Sequence, residues 1–463
     1  MHPNDITDML VDRPSEQRFD VARRMFTDDE LFELEMKHIF ERTWIYLCHE
    51  SQVANPHDFF TTTIGRQPVV VTRDADGQLN GLINACAHRG AKLCRTQRGQ
   101  SKFLVCPYHG WVYDSTGRNV EIKDRDSGGY PDHFGQQNHD LKRIARIESY
   151  AGFVFGSLSD EVPPLAEHLG QARPFVEMLD EMGEQGVEVI PGASTYIYEG
   201  NWKMQAENGI DGYHFTTIHA NYVGIIGRRM KAASSGGEDK VKMGYDDSMM
   251  KGFKSGAYDL NNGHAVIWID FPVPQNRPLW EQREALAQRI DPERAEWLLK
   301  RQRNLLIYPN VQLMDQASTQ IRVFRPISAT CTEVKIYCIA PRGETATARE
   351  RRIRQYEDFF NATGMATPDD LKVFELCQEG YEARAVEWQQ GYDRGITRMV
   401  RGADEHAQKL GVEPYSSSPD ATDETLFHGQ YREWNRLLQE GMERDGLDRD
   451  GLMPAQAARA ENG

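Results

Sequence analysis

The sequence has few cysteines, no long hydrophobic run and no excess of basic residues. Its 463 residues include seven cysteines, an odd and sparse number that argues against a secreted disulfide framework. No stretch approaches the ~18 consecutive apolar residues of a membrane-spanning helix, and residues 1–20 contain no signal-peptide core. With 70 acidic against 54 basic residues and a net charge of −16, the chain is not suited to non-specific nucleic-acid or membrane binding. We therefore expect a cytoplasmic protein that binds neither nucleic acid nor membrane.

Patterns along the chain predict an α+β protein of two main domains. Residues 1–44 predict a helical segment that packs on the larger domain. Between residues 45 and 158, short β-rich runs alternate with glycine-containing turns, which predicts an all-β domain. Strands and helices then interleave from 159 to 440, which predicts an antiparallel sheet with helices, including one strand over 311–324. Residues 229–256 are expected to form a mobile loop or lid, and residues 441–463 a mobile tail.

Two Cys/His pairs in the β-rich region predict a metal site. Cys86-Ala-His88 and Cys106-Pro-Tyr-His109 are separated by 17 residues and flanked by glycine. Mixed Cys/His ligation suits a tetrahedral zinc ion or a [2Fe–2S] cluster of the Rieske kind. The Cys-x-His opening favours the cluster, because zinc sites usually begin with Cys-x₂₋₄-Cys. A zinc-stabilised binding protein remains the alternative from another functional class. Cys94 lies outside the pattern and is expected to pack in the core.

A second pair of histidines lies in the predicted α+β domain. His214 and His219 would diverge by ~140° on a straight helix at ~100° per residue, so they share a metal only if the helix breaks between them. Two histidines at this spacing are weak evidence for a metal site, and one surface and one core side chain explain them more simply. On the residues alone, both explanations stay open.

The motifs resemble those of a known enzyme family. Cys86-Ala-His88-Arg-Gly with Cys106-Pro-Tyr-His109-Gly-Trp resembles the Rieske motif of ring-hydroxylating oxygenases. Asp211-Gly-Tyr-His214-x₄-His219 resembles their mononuclear iron motif. The resemblance implies a Rieske [2Fe–2S] cluster held by the first four ligands, in an all-β domain.

The same resemblance implies a mononuclear Fe(II) bound by His214, His219 and a distant carboxylate. The family pattern assigns that carboxylate to Asp370. Asp370 could instead serve only the start of a helix, since Thr-Pro-Asp-Asp is a good helix N-terminus in which both acids favour the dipole. Asp369 is the competing candidate for the iron ligand.

Two further polar residues take roles from the resemblance. Asp211 is implied to carry electrons between His109 of one subunit and His214 of its neighbour, although it could instead cap a local turn. Asn208 is implied to lie near the iron, although a helix-surface amide is an equal explanation.

Other segments narrow the resemblance to benzoate-type dioxygenase large subunits, which include the benzoate, toluate, halobenzoate and anthranilate enzymes. Examples are Met25-Phe-Thr-Asp, Trp44-Ile-Tyr and Met314-Asp-Gln, and the likeness covers about residues 20–435. It implies cis-dihydroxylation of an aromatic carboxylate by O₂, with electrons from NADH through a separate flavin and iron–sulfur reductase. A small β subunit and an α3β3 assembly are also implied. Monooxygenation or demethylation of an aromatic acid is the alternative, because the same metal centres serve it.

The substrate pocket shows departures from the resembling group. Phe215-Thr216 and Ala220, beside the iron histidines, differ from the residues usual there, so the pocket is expected to be reshaped. The expected pocket walls, each equally explained as core, are Phe215, Val223, Met314, Ala317 and Phe360.

An anionic substrate needs a local cation, because the net charge of the chain repels it. The candidate anchors are Arg228, Arg229, Arg322 and Arg325, and the sequence does not choose among them.

Overall fold

The computed structural model describes residues 3–222, 224–225, 228, 253–271, 273–316 and 319–446. It divides into two compact units. The smaller is Met36–His168, and the larger combines Met1–Glu35 with Leu169–Gly463. Most of the predicted lid and tail lies outside the described residues. No described helix has the length and apolar character needed to cross a membrane.

The amino-terminal part of the larger unit contains strands as well as the predicted helices. Its elements are α1 (Pro3–Thr7), β1 (Leu10–Arg13), β2 (Arg18–Ala22) and α2 (Asp29–Glu35). Strands β1 and β2 form an antiparallel hairpin. The connection is a 3₁₀ turn followed by Gln17 in the left-handed conformation, at φ 53°. This segment has no Asn-Gly or Asp-Gly signal, so the hairpin could not be recognised from its turn.

The smaller unit is built from short antiparallel strands. They are β3 (Ile45–His49), β4 (Asp58–Ile64), β5 (Gln67–Arg73), β6 (Leu79–Ile83), β7 (Arg98–Gln100), β8 (Phe103–Val105), β9 (Val112–Asp114), β10 (Asn119–Glu121), β11 (Arg146–Tyr150) and β12 (Phe153–Ser157). They pair in the orders β6-β5-β4-β7, β10-β9-β8 and β11-β12-β3. A π-helical turn, Met36–Phe40, precedes them. The predicted all-β character of this region is therefore confirmed.

The larger unit is centred on one long antiparallel sheet. Its remaining strands are β13 (Val187–Val189), β14 (Ser194–Tyr198), β15 (Ser255–Asp259), β16 (Ala265–Asp270), β17 (Arg301–Ile307), β18 (Val311–Asp315), β19 (Thr319–Ser328), β20 (Cys331–Pro341), β21 (Trp388–Gln389), β22 (Val400–Arg401) and β23 (Ser416–Ser418). The sheet order is β13-β20-β19-β18-β17-β16-β15-β23-β22, with β14 also paired to β20. The single strand predicted over 311–324 is wrong, because the chain reverses between β18 and β19.

Helices accompany this sheet, and the predicted α+β class is confirmed. They are α3 (Leu165–Leu169), which straddles the boundary between the units, α4 (Arg173–Asp180), α5 (Trp202–Asn208), α6 (Phe215–Ile218), α7 (Arg283–Arg289), α8 (Pro292–Lys300), α9 (Ala346–Phe359), α10 (Thr367–Tyr381), α11 (Glu405–Leu410) and α12 (Phe427–Arg444). Short 3₁₀ turns occur at Pro14–Glu16, Arg23–Phe26, Glu50–Val53, Arg125–Ser127, Asp132–Gln136, Gly170–Ala172, Pro274–Asn276 and Pro278–Gln282.

Helix α5 is held at its start by a buried ion pair. Lys203 contacts Glu35, and both side chains are almost fully buried. Glu35 also accepts hydrogen bonds from the indole N–H groups of Trp202 (2.8 Å) and Trp434 (2.7 Å). Asn201 caps the helix by accepting from the Lys203 N–H. A buried charge pair satisfied in this way resists displacement, since removing one partner strands the other charge.

The end of α5 is fixed against the sheet. The Gln312 amide of β18 donates to the carbonyl oxygens of Gln205 (2.8 Å) and Ala206 (3.0 Å). These carbonyls belong to the last turn, where helical partners run out, and the Gln205 carbonyl also accepts the Gly209 N–H at 3.4 Å. A Cβ on Gly209 would lie 2.2 Å from the Gln312 side chain, so only glycine fits at this crossing. These contacts fix the position of the end of α5 relative to β18, and therefore the position at which the following chain begins.

Candidate metal centres

Two similar loops of the smaller unit present the Cys/His pairs. In each loop the cysteine N–H donates to the carbonyl five residues on, at 2.9 Å for Cys86 and 2.8 Å for Cys106. The cysteine carbonyl in turn accepts from the glycine four residues on, Gly90 (2.9 Å) or Gly110 (3.0 Å). Both glycines have φ of +73°, a conformation that other residues rarely adopt. The repeated glycine spacing thus folds both pairs into the same tight turn.

The cysteines of these loops are buried and the histidines lie towards solvent. Cys86 and Cys106 belong to an apolar cluster that includes Trp111. The rings of His88 and His109 are 4.5 Å apart, and His88 stacks on Trp111 at 4.9 Å. The Nδ1 atom of His109 is buried with no hydrogen-bond partner among the described residues. Such an orphaned nitrogen fits a metal ligand, because buried polar atoms are otherwise paired.

This donor set fits a two-iron cluster better than one zinc ion. A single ion requires ligand atoms that lie close together. Among the described residues, one group of three or more candidate ligands has all its ligand atoms within 4.8 Å of one another. That group is in the larger unit and contains none of the four Cys/His side chains. The four Cys/His side chains therefore do not converge on a single ion. A Rieske cluster requires less convergence, since two cysteines bind one iron and two histidines the other. Cys94 packs in the same apolar cluster.

Tyr113 was not anticipated from the sequence as part of this centre. Its hydroxyl lies 3.2 Å from Cys86 Sγ and accepts the Ala87 N–H at 3.2 Å. The ring is fully buried. Burial, followed by the contact with Cys86, raises the pKa of Tyr113 well above its usual value, so the hydroxyl keeps its proton and can donate it to a Cys86 thiolate. The residue comes from β9, close to Cys106 in sequence, but no motif marks it.

The second candidate centre combines His214, His219 and Asp370. Their ligand atoms all lie within 4.8 Å of one another. Asp370 Oδ1 is 3.6 Å from His214 Nε2 and 3.3 Å from His219 Nε2. Helix α6 begins after His214 and ends before His219, so the two histidines are not on one straight helix. Two histidines and one carboxylate form the set of the facial iron triad.

Asp370 comes from the first turn of α10. Asp369 lies in the same turn but is not a member of the converging group. Adjacent helical residues differ in direction by ~100°, so one of them faces the histidines. The structure brings Asp370, rather than Asp369, to the candidate centre.

Asp211 and Asn208 contact this centre. Asp211 Oδ2 is 3.0 Å from His214 Nδ1, and its Oδ1 accepts the Tyr213 N–H at 2.6 Å. Burial opposes the ionisation of Asp211, but the hydrogen bond and charge of His214, together with the backbone N–H groups of Tyr213 and His214, outweigh it and lower the pKa of Asp211. A carboxylate on Nδ1 leaves Nε2 for the metal, which is the usual orienting arrangement. Asn208 Nδ2 lies 3.3 Å from His214 Nε2 and 3.2 Å from Asp370 Oδ1.

An apolar cluster adjoins the histidines. Its buried members are Tyr222, Met314, Phe359, Phe360 and Ala366, with Phe215, Phe271 and Met365 packed against them. The His219 ring is 5.5 Å from that of Phe215 and 5.8 Å from that of Phe359. Three of the expected pocket walls are thus brought together. The other two, Val223 and Ala317, lie outside the described residues. Phe359 was missed, although its position next to Phe360 was a usable signal.

A buried acidic cluster beside α5 was also missed. The carboxyl of Glu207 accepts hydrogen bonds from the hydroxyls of Tyr392 (2.8 Å) and Tyr431. Burial raises the pKa of Glu207 to about 7. Burial, with the charges of Asp211 and Glu207, raises the pKa of Glu424 to about 8. The tyrosines are far from Glu207 in sequence, so no local pattern could have indicated this cluster.

Family comparisons match both units. The family described as "Ring hydroxylating alpha subunit (catalytic domain)" matches residues 187–440. The family described as "Rieske [2Fe-2S] domain" matches residues 43–142. Together they imply a Rieske cluster and a mononuclear iron, the two cofactors expected from the motifs.

Individual relatives are similar over nearly the whole chain. Toluate 1,2-dioxygenase subunit alpha of Pseudomonas putida is 45% identical over 443 residues, which cover 95% of this chain and 96% of the relative. The 2-halobenzoate 1,2-dioxygenase large subunit of Burkholderia cepacia is 44% identical, over 95% of this chain and 93% of the relative. The crystal structure of naphthalene 1,2-dioxygenase from Rhodococcus sp. bound to indole has a TM-score of 0.79 at 22% identity, covering 94% of this chain and 98% of that one. This last likeness shows the fold.

Proposed function

The chain belongs to the family of ring-hydroxylating oxygenase alpha subunits, and on this basis we propose that it cis-dihydroxylates an aromatic ring that carries a carboxylate. It acts as the large subunit of a terminal oxygenase, with O₂ as the oxidant and electrons originating from NADH. The observation that carries this proposal is the group of His214, His219 and Asp370 beside an apolar, largely aromatic cluster. Toluate and 2-halobenzoate, named for two relatives, are both ring carboxylates.

The chain's own residues position and enclose the reaction. When bound, the two metal groups supply electron delivery and O₂ activation, which side chains cannot perform. Asp211 holds the His214 ring through Nδ1, and Asp370 meets both histidines through one oxygen. The apolar cluster around Phe360 excludes water from the place where an aromatic ring would lie.

Asp211 is proposed to carry electrons between subunits as well as to orient His214. Its carboxylate already contacts His214, and His109 of a neighbouring copy would be its second partner. Asp211→Ala is expected to retain both metals and lose turnover. The readouts are iron content, the Rieske absorbance and the rate at which the mononuclear site reoxidises the reduced cluster. Turnover close to wild type would remove this role from Asp211.

The assembly is proposed from the same family relationship. A small β subunit would complete an α3β3 oxygenase, and an NADH-dependent flavin and iron–sulfur reductase would deliver electrons. Both relatives named above are described as an alpha or large subunit, which supports the existence of a smaller partner. Co-expression with a candidate β subunit followed by mass measurement in solution tests the stoichiometry.

A substrate panel tests the proposed reaction. The oxygenase is incubated with NADH, a matching reductase, and benzoate, 3-methylbenzoate, 2-chlorobenzoate or 2-aminobenzoate, and the products are identified by mass spectrometry. We expect a cis-dihydrodiol carboxylate from benzoate and 3-methylbenzoate. From 2-chlorobenzoate and 2-aminobenzoate we expect catechol, because their diols spontaneously lose carbon dioxide together with chloride or ammonia. A monohydroxylated or demethylated acid as the primary product would favour the monooxygenase alternative instead.

A further inference from the structure

Arg322 is a buried cation whose hydrogen-bonding side is free. It belongs to β19 and is 2% exposed. Its Nε and Nη2 atoms are buried without a hydrogen-bond partner, and no carboxylate among the described residues forms an ion pair with it. Buried charges are normally paired, because an isolated charge in a low-dielectric interior is costly. An unpaired guanidinium at such a position therefore points to a partner supplied from outside the chain.

The side chain of Arg322 lies on the sheet face that contacts helix α5. Arg322 is directly opposite Gln312 of β18 and Ile336 of β20, and directly opposed residues project from the same face of a sheet. Gln312 on that face contacts α5, which leads to His214.

One further contact locates the guanidinium. It lies 5.3 Å from the ring centroid of Phe360, a member of the apolar cluster beside His219. The ring of Phe359, in the same cluster, is 5.8 Å from that of His219. Arg322 is therefore at the apolar cluster that adjoins the candidate iron centre.

The free donors have the geometry that a carboxylate requires. Nε and Nη2 form the side of the guanidinium that presents two parallel N–H bonds, which match the two oxygens of a carboxylate. Charge favours the same ligand. With Fe(II) bound, the pocket would hold two cationic groups, the iron and Arg322, and one anionic iron ligand, Asp370. A further anion would therefore reduce the local positive charge.

The other candidate anchors are less suited. Arg325 is paired with Glu333 at 3.2 Å, and 36% of its side chain is exposed. Arg228 is exposed, and Arg229 lies outside the described residues.

We propose that Arg322 binds the carboxylate of the substrate through Nε and Nη2 and thereby selects ring carboxylates over neutral aromatic compounds. This inference rests on the proposed function, because it assigns a ligand to the same pocket. Phe360 then contributes a flat apolar surface beside the bound carboxylate, and the ring extends from Arg322 towards the histidines.

The test compares Arg322→Gln with Arg325→Gln in the iron-loaded oxygenase. Arg325 is the matched control, since it is in the same strand but has its own carboxylate partner. Binding of benzoate, 3-methylbenzoate and 2-chlorobenzoate, and of the three corresponding amides, is measured by calorimetry, and KM and kcat are measured for the acids. Iron content, Rieske absorbance and Tm verify that each variant is folded and loaded.

We expect Arg322→Gln to weaken acid binding and raise KM by about 100-fold, the range for losing one side of a buried charged pair, while amide binding changes little. Arg325→Gln should match the wild type. Arg322→Lys should give an intermediate loss, because it keeps the charge but not the parallel donors. Unchanged acid binding in a folded Arg322→Gln would overturn the proposal.

The wild type alone provides a second test that does not depend on a variant folding. If it binds the amides as tightly as the acids, or binds none of the acids, Arg322 is not a carboxylate anchor. A failure of the proposed function looks different. In that case the wild type oxidises none of the acids with a competent reductase, whatever its binding preference.

Discussion

Tyr113→Phe tests the assignment of the iron–sulfur centre through a single hydrogen bond. The substitution removes the hydroxyl that lies 3.2 Å from Cys86 Sγ and keeps the buried ring in place. A hydrogen bond donated to a ligand sulfur stabilises the more negative, reduced form of a cluster, and such bonds help to set its potential. Removing the donor should therefore lower the reduction potential.

The size of the change follows from the strength of one bond. A typical intramolecular hydrogen bond has a net value of about 1 kcal/mol. For a one-electron couple, a tenfold change in equilibrium constant corresponds to about 59 mV and about 1.4 kcal/mol. If the bond is made fully in the reduced state and weakly in the oxidised state, Tyr113→Phe lowers the potential by about 40 mV.

The assay is a spectroelectrochemical titration of the visible Rieske absorbance at pH 7. Tyr130→Phe is the matched control, because Tyr130 packs against the same apolar cluster and stacks on Phe134 at 4.1 Å. Among the described residues, its hydroxyl makes no hydrogen bond to Cys86 or Cys106. The control should titrate like the wild type. A Tyr113→Phe potential within the error of the wild type, or above it, would refute the reasoning.

Three further predictions concern the larger unit. Asp370→Ala should lose the mononuclear iron and keep the Rieske absorbance, whereas Asp369→Ala should keep both; equal iron loss would contradict the geometry. Burial raises the pKa of Glu207 from 4.5 to about 7. Between these two pH values the folded state keeps a proton on Glu207 that the unfolded state has lost. The contribution of Glu207 to the free energy of unfolding therefore falls as the pH rises from 4.5 to about 7. The Tm of Glu207→Gln relative to wild type should accordingly be higher at pH 8 than at pH 5, and a constant difference would be inconsistent with the shift. Asp315→Asn should lower the free energy of unfolding by about 3–5 kcal/mol, because it leaves the buried Arg303 and Arg277 without their shared carboxylate. A Tm at pH 7 equal to that of the wild type would rule this out.

The strand pattern of the smaller unit could be predicted because its signals are local. β8 (Phe103–Val105), for example, is one of the short apolar runs between turn signals on which the all-β prediction for residues 45–158 rests. The hairpin between β18 and β19 could not be predicted from local signals. Residues 316–318, which connect the two strands, include no glycine, proline or asparagine. The two strands therefore look like one continuous run in the sequence.

The candidate iron site could be predicted only in part. His214 and His219 are close in sequence and carry a motif, whereas Asp370 is distant and stands beside an equally suitable Asp369. The choice depends on which direction the first turn of α10 faces, and that is set by tertiary packing. Arg322 illustrates the same limit. Its isolation from carboxylates is a property of the folded sheet, and nothing in the local sequence distinguishes it from Arg325.

The central claim, dihydroxylation of a ring carboxylate, is tested most directly by the origin of the product oxygen. The oxygenase is supplied with its reductase, NADH, the acid it converts fastest and ¹⁸O₂, and the label in the product is measured by mass spectrometry. We predict a cis-diol, or the catechol derived from it, in which both new oxygen atoms carry the label. A product with one labelled oxygen, or with oxygen from water, would contradict the proposed function.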